Sequence, residues 1–527
     1  MSGVLGSEPG SQSRDAGSNV AKPMARAALT GTLWMIVSSS SAKLLGLGSQ
    51  LILAALLTED QFGVYAIALS LSVLTTVLRD GGVRQLLIQR KAEYESLIGP
   101  VAWMALAFNL LAGLILAATG PIAAAVYGRS ELIAMMALMG LGVLLTTPSA
   151  VLSARLLIDL RFRDLAWMAV ASSALRYGAS IGMAAAGFGA ISFVMPIALV
   201  GILEWCWLRV LNPERIWRRP AEFGRWGSLL GQVRWILIGS LGTALVNMGN
   251  YSVVGLFVSN SIVGVYFFAY QIVIQIGVLI SNNINQVLFP IFSGMTDIDR
   301  QRAAVDRVIR QLMLVAAPLG MGLIPTFPGI EAALWNGRWA SAVHSVMIIA
   351  VFYPISVVIA VPYAALQARG DFRRWAMLLV TLGAAVMFAG AAGAAAGGTA
   401  EFIALFSGIA LGVGSLVFTW LGLRHLGVTA GEVAKMTLPA CGLGLLAASA
   451  GLAVDWQLET LKSVVPPVLS SGRPAAAIRA GLAGIVFCTV YGLLARAILP
   501  DGIRDAVSML PSRMRTPARR LLLLRAV

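Results

Sequence analysis

Apolar residues in this chain do not alternate with polar ones. They come in runs of roughly 18–25 residues, the length that carries a helix across the hydrocarbon of a bilayer. Short polar clusters break the runs. The pattern predicts fourteen membrane helices, near 28–57, 61–79, 97–119, 131–154, 165–187, 189–209, 228–258, 262–289, 308–330, 341–368, 374–397, 400–422, 436–455 and 474–498. The first, seventh and eighth are long enough to tilt or to project beyond the bilayer. The expected fold class is an all-α integral membrane protein. No loop can hold a separate domain, so any chemistry belongs within the helix bundle or at its surface.

The loops between the spans divide by charge. One alternate set includes the N-terminal tail, "RDGGVRQLLIQRKAEYES", "RLLIDLRFRD", "RVLNPERIWRRPAEFGRW", "DIDRQRAAVDRVIR", "RGDFRR", "RHLGVTAGEVAK" and the C-terminal tail. It holds about thirty Lys and Arg, against four in the other set (Arg129, Arg338, Lys462 and Arg473), which is a positive-inside bias. Both termini are therefore expected in the cytoplasm. The polar, Gly/Ser-rich residues 1–27 lack an early apolar region and a cleavage site, and read as a disordered tail rather than a signal peptide. The net charge of +15 is accounted for by this bias, so no nucleic-acid partner is needed.

Two stretches echo each other. "TEDQFGVYAIA" (Thr58 to Ala68) and "SNSIVGVYFFA" (Ser259 to Ala269) each follow a long apolar run, and Gly-Val-Tyr occurs nowhere else. At a constant offset of 201, Trp34 meets Trp235, Ser39 meets Ser240, Leu44 meets Leu245 and Gly48 meets Gly249. A second echo pairs Pro148, Ala150, Leu152, Ala154 and Arg155 with Pro362, Ala364, Leu366, Ala368 and Arg369, then Phe162-Arg163 with Phe372-Arg373. In both echoes the spans are six apart. The organisation that follows is an N-lobe of six spans (28–225), a C-lobe of six (226–430), two extra helices (431–499) and a basic tail (500–527). Parallel repeats of this kind place a transporter's site between the halves. Gly63 and Gly264 would permit a tight helix entry. Tyr65 and Tyr266 are expected near the outer interface, where aromatic rings are favoured.

Composition agrees with lipid as solvent: 58% hydrophobic, 12% charged, mean hydropathy +0.82. Soluble domains are nearer 25% charged. Cys206, Cys441 and Cys488 show no CxxC spacing, and His344 and His425 lie far apart, so disulfide and metal readings are poor. No Walker A, HExxH or GxSxG motif is present. The chain reads as a transporter that does not hydrolyse ATP and needs no cofactor; drive by H⁺, Na⁺ or the membrane potential stays open.

Ionisable groups inside the membrane cost at least about 2.5–3.5 kcal/mol and so face a cavity or a partner. Lys43 and Arg176 lie deep in the first and fifth spans, among small residues. Arg234 is about two turns into the seventh span, where it lines a cavity or snorkels. Arg479 and Glu204 lie near interfaces and could snorkel. Polar amides form a second set: Gln50, Asn247, Asn250, Gln271, Gln275 and Asn282, with Gln271, Gln275 and Asn282 on roughly one helical face. Hydrogen bonds between helices explain such amides as well as ligand contact does. A cavity built from both sets would be cationic with amide trim, suited to an anionic, hydroxyl-rich cargo such as a phosphate-bearing glycolipid.

The stretch "LLTEDQFGVYAIALSLSVLTTVLRDGGVRQLLIQR" resembles the early region of bacterial polysaccharide flippases, and "PSAVLSARLLIDLRFRDLAWMAVASSALRYGASIGMAAAGFG" is similar to that family's middle segment. These flippases belong to the multidrug/oligosaccharidyl-lipid/polysaccharide exporter superfamily. The resemblance implies a multi-pass protein of the bacterial cytoplasmic membrane. Its expected activity is moving undecaprenyl-pyrophosphate-linked oligosaccharide from the inner to the outer leaflet by alternating access. The expected partners are this substrate, membrane lipid and the polysaccharide polymerase or chain-length proteins of the same export route. It also implies a lipid-tail groove in the two extra helices. Rivals are a peptidoglycan-precursor flippase, a cationic-drug antiporter of the same superfamily, which should carry mid-membrane Asp or Glu, and a membrane polysaccharide polymerase or ligase, which usually needs a large outer loop with Arg or His.

Overall fold

The computed structural model describes residues 37–73, 86–88, 90–212, 216–295, 297–460 and 472–504 apart from 501, with the isolated residues 34, 75 and 214. Both predicted tails fall almost wholly outside these. The described residues are helical, with no strand among them. The N-lobe holds α1 (37–56), α2 (Glu59–Leu71), α3 (Tyr94–Tyr127), α4 (Glu131–Leu145), α5 (Thr147–Ile158), α6 (Phe162–Ala185) and α7 (Met195–Leu211). The C-lobe holds α8 (Trp226–Met248), α9 (Asn250–Val254), α10 (Asn260–Gly294), α11 (Ile298–Met321), α12 (Leu323–Trp335), α13 (Val343–Ser356), α14 (Ala360–Ala368), α15 (Phe372–Gly397) and α16 (Ala400–Leu423). Two further helices follow, α17 (Ala430–Thr460) and α18 (Gly472–Ile498).

Nine helical segments among the described residues are long and apolar enough to cross a membrane, and a pair bent by 61° around α8 would make a tenth. Several predicted single spans are broken in two. The helix of the fourth is interrupted at Thr146, where Pro148 sits within the first turn of α5; that of the ninth is interrupted at Gly322, between Pro318 and Pro325. Proline removes the amide that would continue the helical ladder. Large apolar side chains line the outside of the bundle, such as Leu110, Leu114, Ile122 and Val126 along α3. They have no protein neighbour to bury them, as lipid-facing positions would not.

The two loop sets lie at opposite ends. Within the basic set, Arg155 and Arg219 both pair with Glu95, at 3.1 and 2.7 Å, and Arg302 pairs with Glu432 at 2.6 Å. Within the sparse set, Arg129 pairs with Asp60, and the Ser341 hydroxyl donates to Glu59.

The lobes meet at the GVY sequences. α2 begins with a capping box in which Thr58 and Gln61 satisfy each other's backbone amides. It crosses α10 at two glycines. A Cβ on Gly63 would lie 1.8 Å from the Asn260 carbonyl oxygen, and one on Gly264 would lie 1.8 Å from that of Glu59. Any side chain would force the helices apart. Around this crossing Phe62 meets Phe268 and Trp339 edge to face and Phe267 at a tilt, and Trp339 stacks on Phe268 at 4.0 Å.

The expectation for the GVY tyrosines is corrected. Tyr65 is 8% exposed and stacks on Phe193 at 4.2 Å; Tyr266 is fully buried. Both point into the bundle, because the glycine crossing turns the following residues inward. The extra pair α17–α18 packs on the C-lobe: Ala476 and Ala480 lie against Gly329, and Met321 lies against Gly444.

Candidate functional site

A cavity of about 200 Å³ lies between the lobes, below the glycine crossing. α1 contributes Gly46, Ser49 and Gln50; α2 contributes Tyr65; α6 contributes Arg176, Tyr177 and Ser180; α10 contributes Phe267, Gln271 and Gln275. Four of the residues singled out in the sequence, Gln50, Arg176, Gln271 and Gln275, thus share one space. Arg176 lies close enough to Tyr65 to share a hydrogen bond with its hydroxyl. No carboxylate is among the described residues that line the cavity.

Gly46 makes this arrangement possible. A Cβ there would fall 2.7 Å from the Tyr177 hydroxyl, so glycine lets the phenol tip come close to α1. Next to it, Ser49 Oγ and Gln50 Nε2 are buried without a hydrogen-bond partner in the protein. Buried polar atoms are nearly always paired, so two orphans on one wall mark a place for water or a ligand. Tyr177 and Ser49 were not singled out by sequence, and Tyr65 was read only as an interfacial ring. Tyr177 follows Arg176 directly, and Ser49 precedes Gln50, but the cavity's aromatic wall has no sequence signature apart from core packing.

The other predicted residues lie elsewhere. Lys43 is half-buried on α1, seven residues before Gln50 and so on the same stripe, but outside the cavity lining. Arg234 is exposed near the start of α8. It lies over the Trp235 ring at 5.5 Å, with Arg373 at 5.6 Å. That is cation–π packing at the basic end rather than a place in the cavity. Asn250 is 3% exposed and donates to the Tyr266 hydroxyl at 2.8 Å, which is the interhelical reading of that amide. Asn247 donates back to the Thr243 carbonyl at 2.8 Å and faces a separate C-lobe cavity. Asn282 lies on α10, and its side chain is outside the described residues. Arg479, at the start of α18, lies on the extra pair and away from the cavity. Glu204, read from sequence as able to snorkel, faces a cavity inside the N-lobe instead.

The cavity is shut on the predicted outer side. Trp335 Nε1 donates to the Leu51 carbonyl at 3.1 Å, Trp339 Nε1 to Ala54 at 2.8 Å, and Arg338 to Ala55. Ala54 and Ala55 are among the last four residues of α1, whose carbonyls have no partner in their own helix. C-lobe side chains therefore cap the end of an N-lobe helix. Glu331, 3% exposed, holds this cap by accepting the Trp339 amide at 2.8 Å.

A family model described as polysaccharide biosynthesis protein matches residues 52–344, more than half of the chain. The chain belongs to the polysaccharide biosynthesis protein family. The matched region begins within α1 and ends at α13, so it takes in the glycine crossing, the α2, α6 and α10 walls of the cavity and the tryptophans of the cap, while Gly46, Ser49 and Gln50 of α1 precede it. Among relatives of this family member is the teichuronic acid biosynthesis protein TuaB of Bacillus subtilis (strain 168). It is 23% identical over 350 residues, or 65% of this chain and 71% of that one. Among solved structures, lipid II flippase MurJ in an inward closed conformation superposes with a TM-score of 0.69 at 11% identity, covering 89% of this chain and all of that one. An inward-facing multidrug resistance MATE family transporter of the MOP superfamily gives 0.51 at 16% identity, over 77% and 96%. The fold is that of this exporter superfamily, and the chain is a multi-pass membrane protein.

Proposed function

We propose that this protein is a flippase for an undecaprenyl-pyrophosphate-linked oligosaccharide, moving it from the inner to the outer leaflet of a bacterial cytoplasmic membrane by alternating access. The observation that carries the reading is the inter-lobe cavity, whose described lining has one guanidinium, orphaned amide and hydroxyl groups, and no carboxylate. Arg176 would take the pyrophosphate through charge-assisted, bidentate bonds, and Gln50, Gln271 and Gln275 would meet sugar hydroxyls. Ligand pockets span about 300–1,000 Å³, so the present volume of about 200 Å³ supports a closed resting state that must widen for cargo. With both termini in the cytoplasm, an inside-negative potential favours outward movement of the anion by about 2.3 kcal/mol per charge per 100 mV. The absence of carboxylates in the lining argues against cationic-drug export.

The test is reconstituted flipping of defined lipid-linked sugars. Purified protein in vesicles should expose a lipid-pyrophosphate oligosaccharide to an external glycan-cleaving probe, and Arg176→Gln should slow this by about tenfold or more. Equal flipping by the variant, folded and inserted normally, would sink the reading. A second cargo is kept in the assay because of the fold shared with a lipid II flippase: a peptidoglycan precursor moved in preference to longer glycans would reassign the substrate.

A further inference from the structure

A cavity of about 490 Å³ lies apart from the Arg176 site, between α11 of the C-lobe and the end of α18. A proline helps to fix how these helices meet. Pro318 has no amide hydrogen, so the Leu314 carbonyl loses its partner within α11. The Tyr491 hydroxyl of α18 donates to that carbonyl instead, at 3.1 Å. Past the end of α18 the chain stays close to α11: a Cβ on Gly502 would lie 3.9 Å from Leu314 Cδ2. The cavity lies beside these contacts. Its residues Asp306, Arg307 and Arg310 belong to a stretch of the basic loop set.

The described lining has a polar group and an apolar one. Asp306, Arg307, Arg310 and Gln311 make up the first, and Leu314, Ile498, Leu499 and Pro500 most of the second. Asp306 is the one carboxylate among them. Arg310 Nε donates to both its oxygens, at 3.0 and 2.9 Å. That contact takes a single N–H and steadies the guanidinium. The terminal amino groups of Arg310 make no hydrogen bond to a described residue. Gln311 Nε2 is buried and has no partner in the protein either. The unspent groups are donors, which suit an oxyanion, and a planar guanidinium suits phosphate in particular. The apolar group points to more than a free ion. Val315 and Leu319 of α11, and Leu493 and Ile498 of α18, are large, apolar and exposed, so chains attached to the phosphate would find apolar surface on both helices.

We propose that this cavity holds the phosphate of an anionic phospholipid from the leaflet at the basic end. Arg310 would meet the phosphate oxygens with its terminal amino groups, Arg307 would add charge, and Gln311 would donate its amide. Basic pockets between membrane helices on the cytoplasmic side suit anionic head groups in this way. One wall comes from α18, which has no counterpart in the N-lobe, so the duplication supplies no second copy of the site. Arg176 and its cavity take no part, and the site does not depend on what the cargo is.

The experiment is native mass spectrometry of the full chain released from detergent micelles, with phosphatidylglycerol or phosphatidylcholine added. The wild type should retain phosphatidylglycerol in preference to phosphatidylcholine. The double variant Arg307→Gln, Arg310→Gln should weaken that binding by about tenfold or more, whereas Arg234→Gln, at the same end, should not. Should the double variant fail to fold, Arg310→Lys carries the test. It keeps the charge and loses the fork, so binding should weaken by a smaller factor. Two competitors identify the source of the phosphate: inorganic phosphate and undecaprenyl pyrophosphate should each leave phosphatidylglycerol bound. No preference between the two phospholipids, or unchanged binding by the arginine variants, would overturn the proposal. So would displacement by either competitor, which would reassign the cavity to a free anion or to cargo docking.

Discussion

Trp339→Phe should open the predicted outer face without unfolding the protein. The native ring is fully buried, stacks on Phe268 at 4.0 Å and meets Phe62 edge-on at 5.0 Å. A phenyl ring can keep both contacts. What it cannot supply is the indole N–H that caps the Ala54 carbonyl at 2.8 Å. Leaving one buried acceptor unsatisfied costs about 1–3 kcal/mol. In an open state that carbonyl would reach water, so the cost falls on the closed state alone. At about 1.4 kcal/mol per decade, the closed-to-open ratio should fall by roughly 5- to 150-fold. Trp339→Ala adds the loss of the ring, about 3–5 kcal/mol for a buried tryptophan, and should open the face further. The assay is a distance distribution between spin labels at Ser130, in the turn after α3, and Ala396, in the last turn of α15, both exposed, after Cys206, Cys441 and Cys488 are replaced. A longer-distance population should grow from wild type to Phe to Ala. An unchanged distribution in a folded Trp339→Ala protein would refute the cap as a closure device.

Gly63→Ala or Gly264→Ala should each destabilise the bundle by at least about 1–3 kcal/mol, the usual cost of overpacking, because the new Cβ would sit 1.8 Å from a backbone oxygen; thermal denaturation in detergent checks this. Arg176→Gln should reduce flipping by about tenfold or more, on the roughly 1.5–3 kcal/mol of a charge-assisted bond, whereas Arg234→Gln should leave the rate nearly unchanged; initial flipping rates in vesicles separate the two. Asn250→Leu should cost stability by about 1–3 kcal/mol, because the Tyr266 hydroxyl loses its partner, and leave the rate per folded molecule intact; equal loss of both would place Asn250 in the transport path.

The duplication was legible because a glycine crossing tolerates no substitute, so Gly63 and Gly264 stand out even between diverged copies. Gln50, Arg176, Gln271 and Gln275 were legible because polar groups at helical spacing in apolar runs need a shared polar space. Depth is readable from sequence, but rotation about the helix axis is only partly so. Arg234 and Asn250 were at plausible depths and point elsewhere. Glu204, about 10 Å from the end of α7 at 1.5 Å per residue, looks able to snorkel until the packing of Gly201 on Thr146 fixes which way α7 faces. Tyr65 was misplaced for a related reason: an aromatic residue one turn and a half into a membrane helix resembles an interfacial ring, and only the crossing partner turns it inward.

The repeat also explains why a symmetric scaffold can carry an asymmetric load. The contact between the copies is reciprocal: Gly63 faces the Asn260 carbonyl and Gly264 the Glu59 carbonyl, and the two pairs are related by the offset of 201. Such an isologous contact constrains both copies at once, so the crossing could not diverge in one alone. The walls below it carry no such constraint. Arg176 has Val386 as its repeat counterpart, a core residue 1% exposed, and Gln50 has Tyr251, fully buried. Where the C-lobe closed its interior with aromatic and aliphatic packing, the N-lobe kept polar side chains and space. An anionic headgroup entering between the lobes would therefore bind against the N-lobe, with α10 supplying amides from the opposite side.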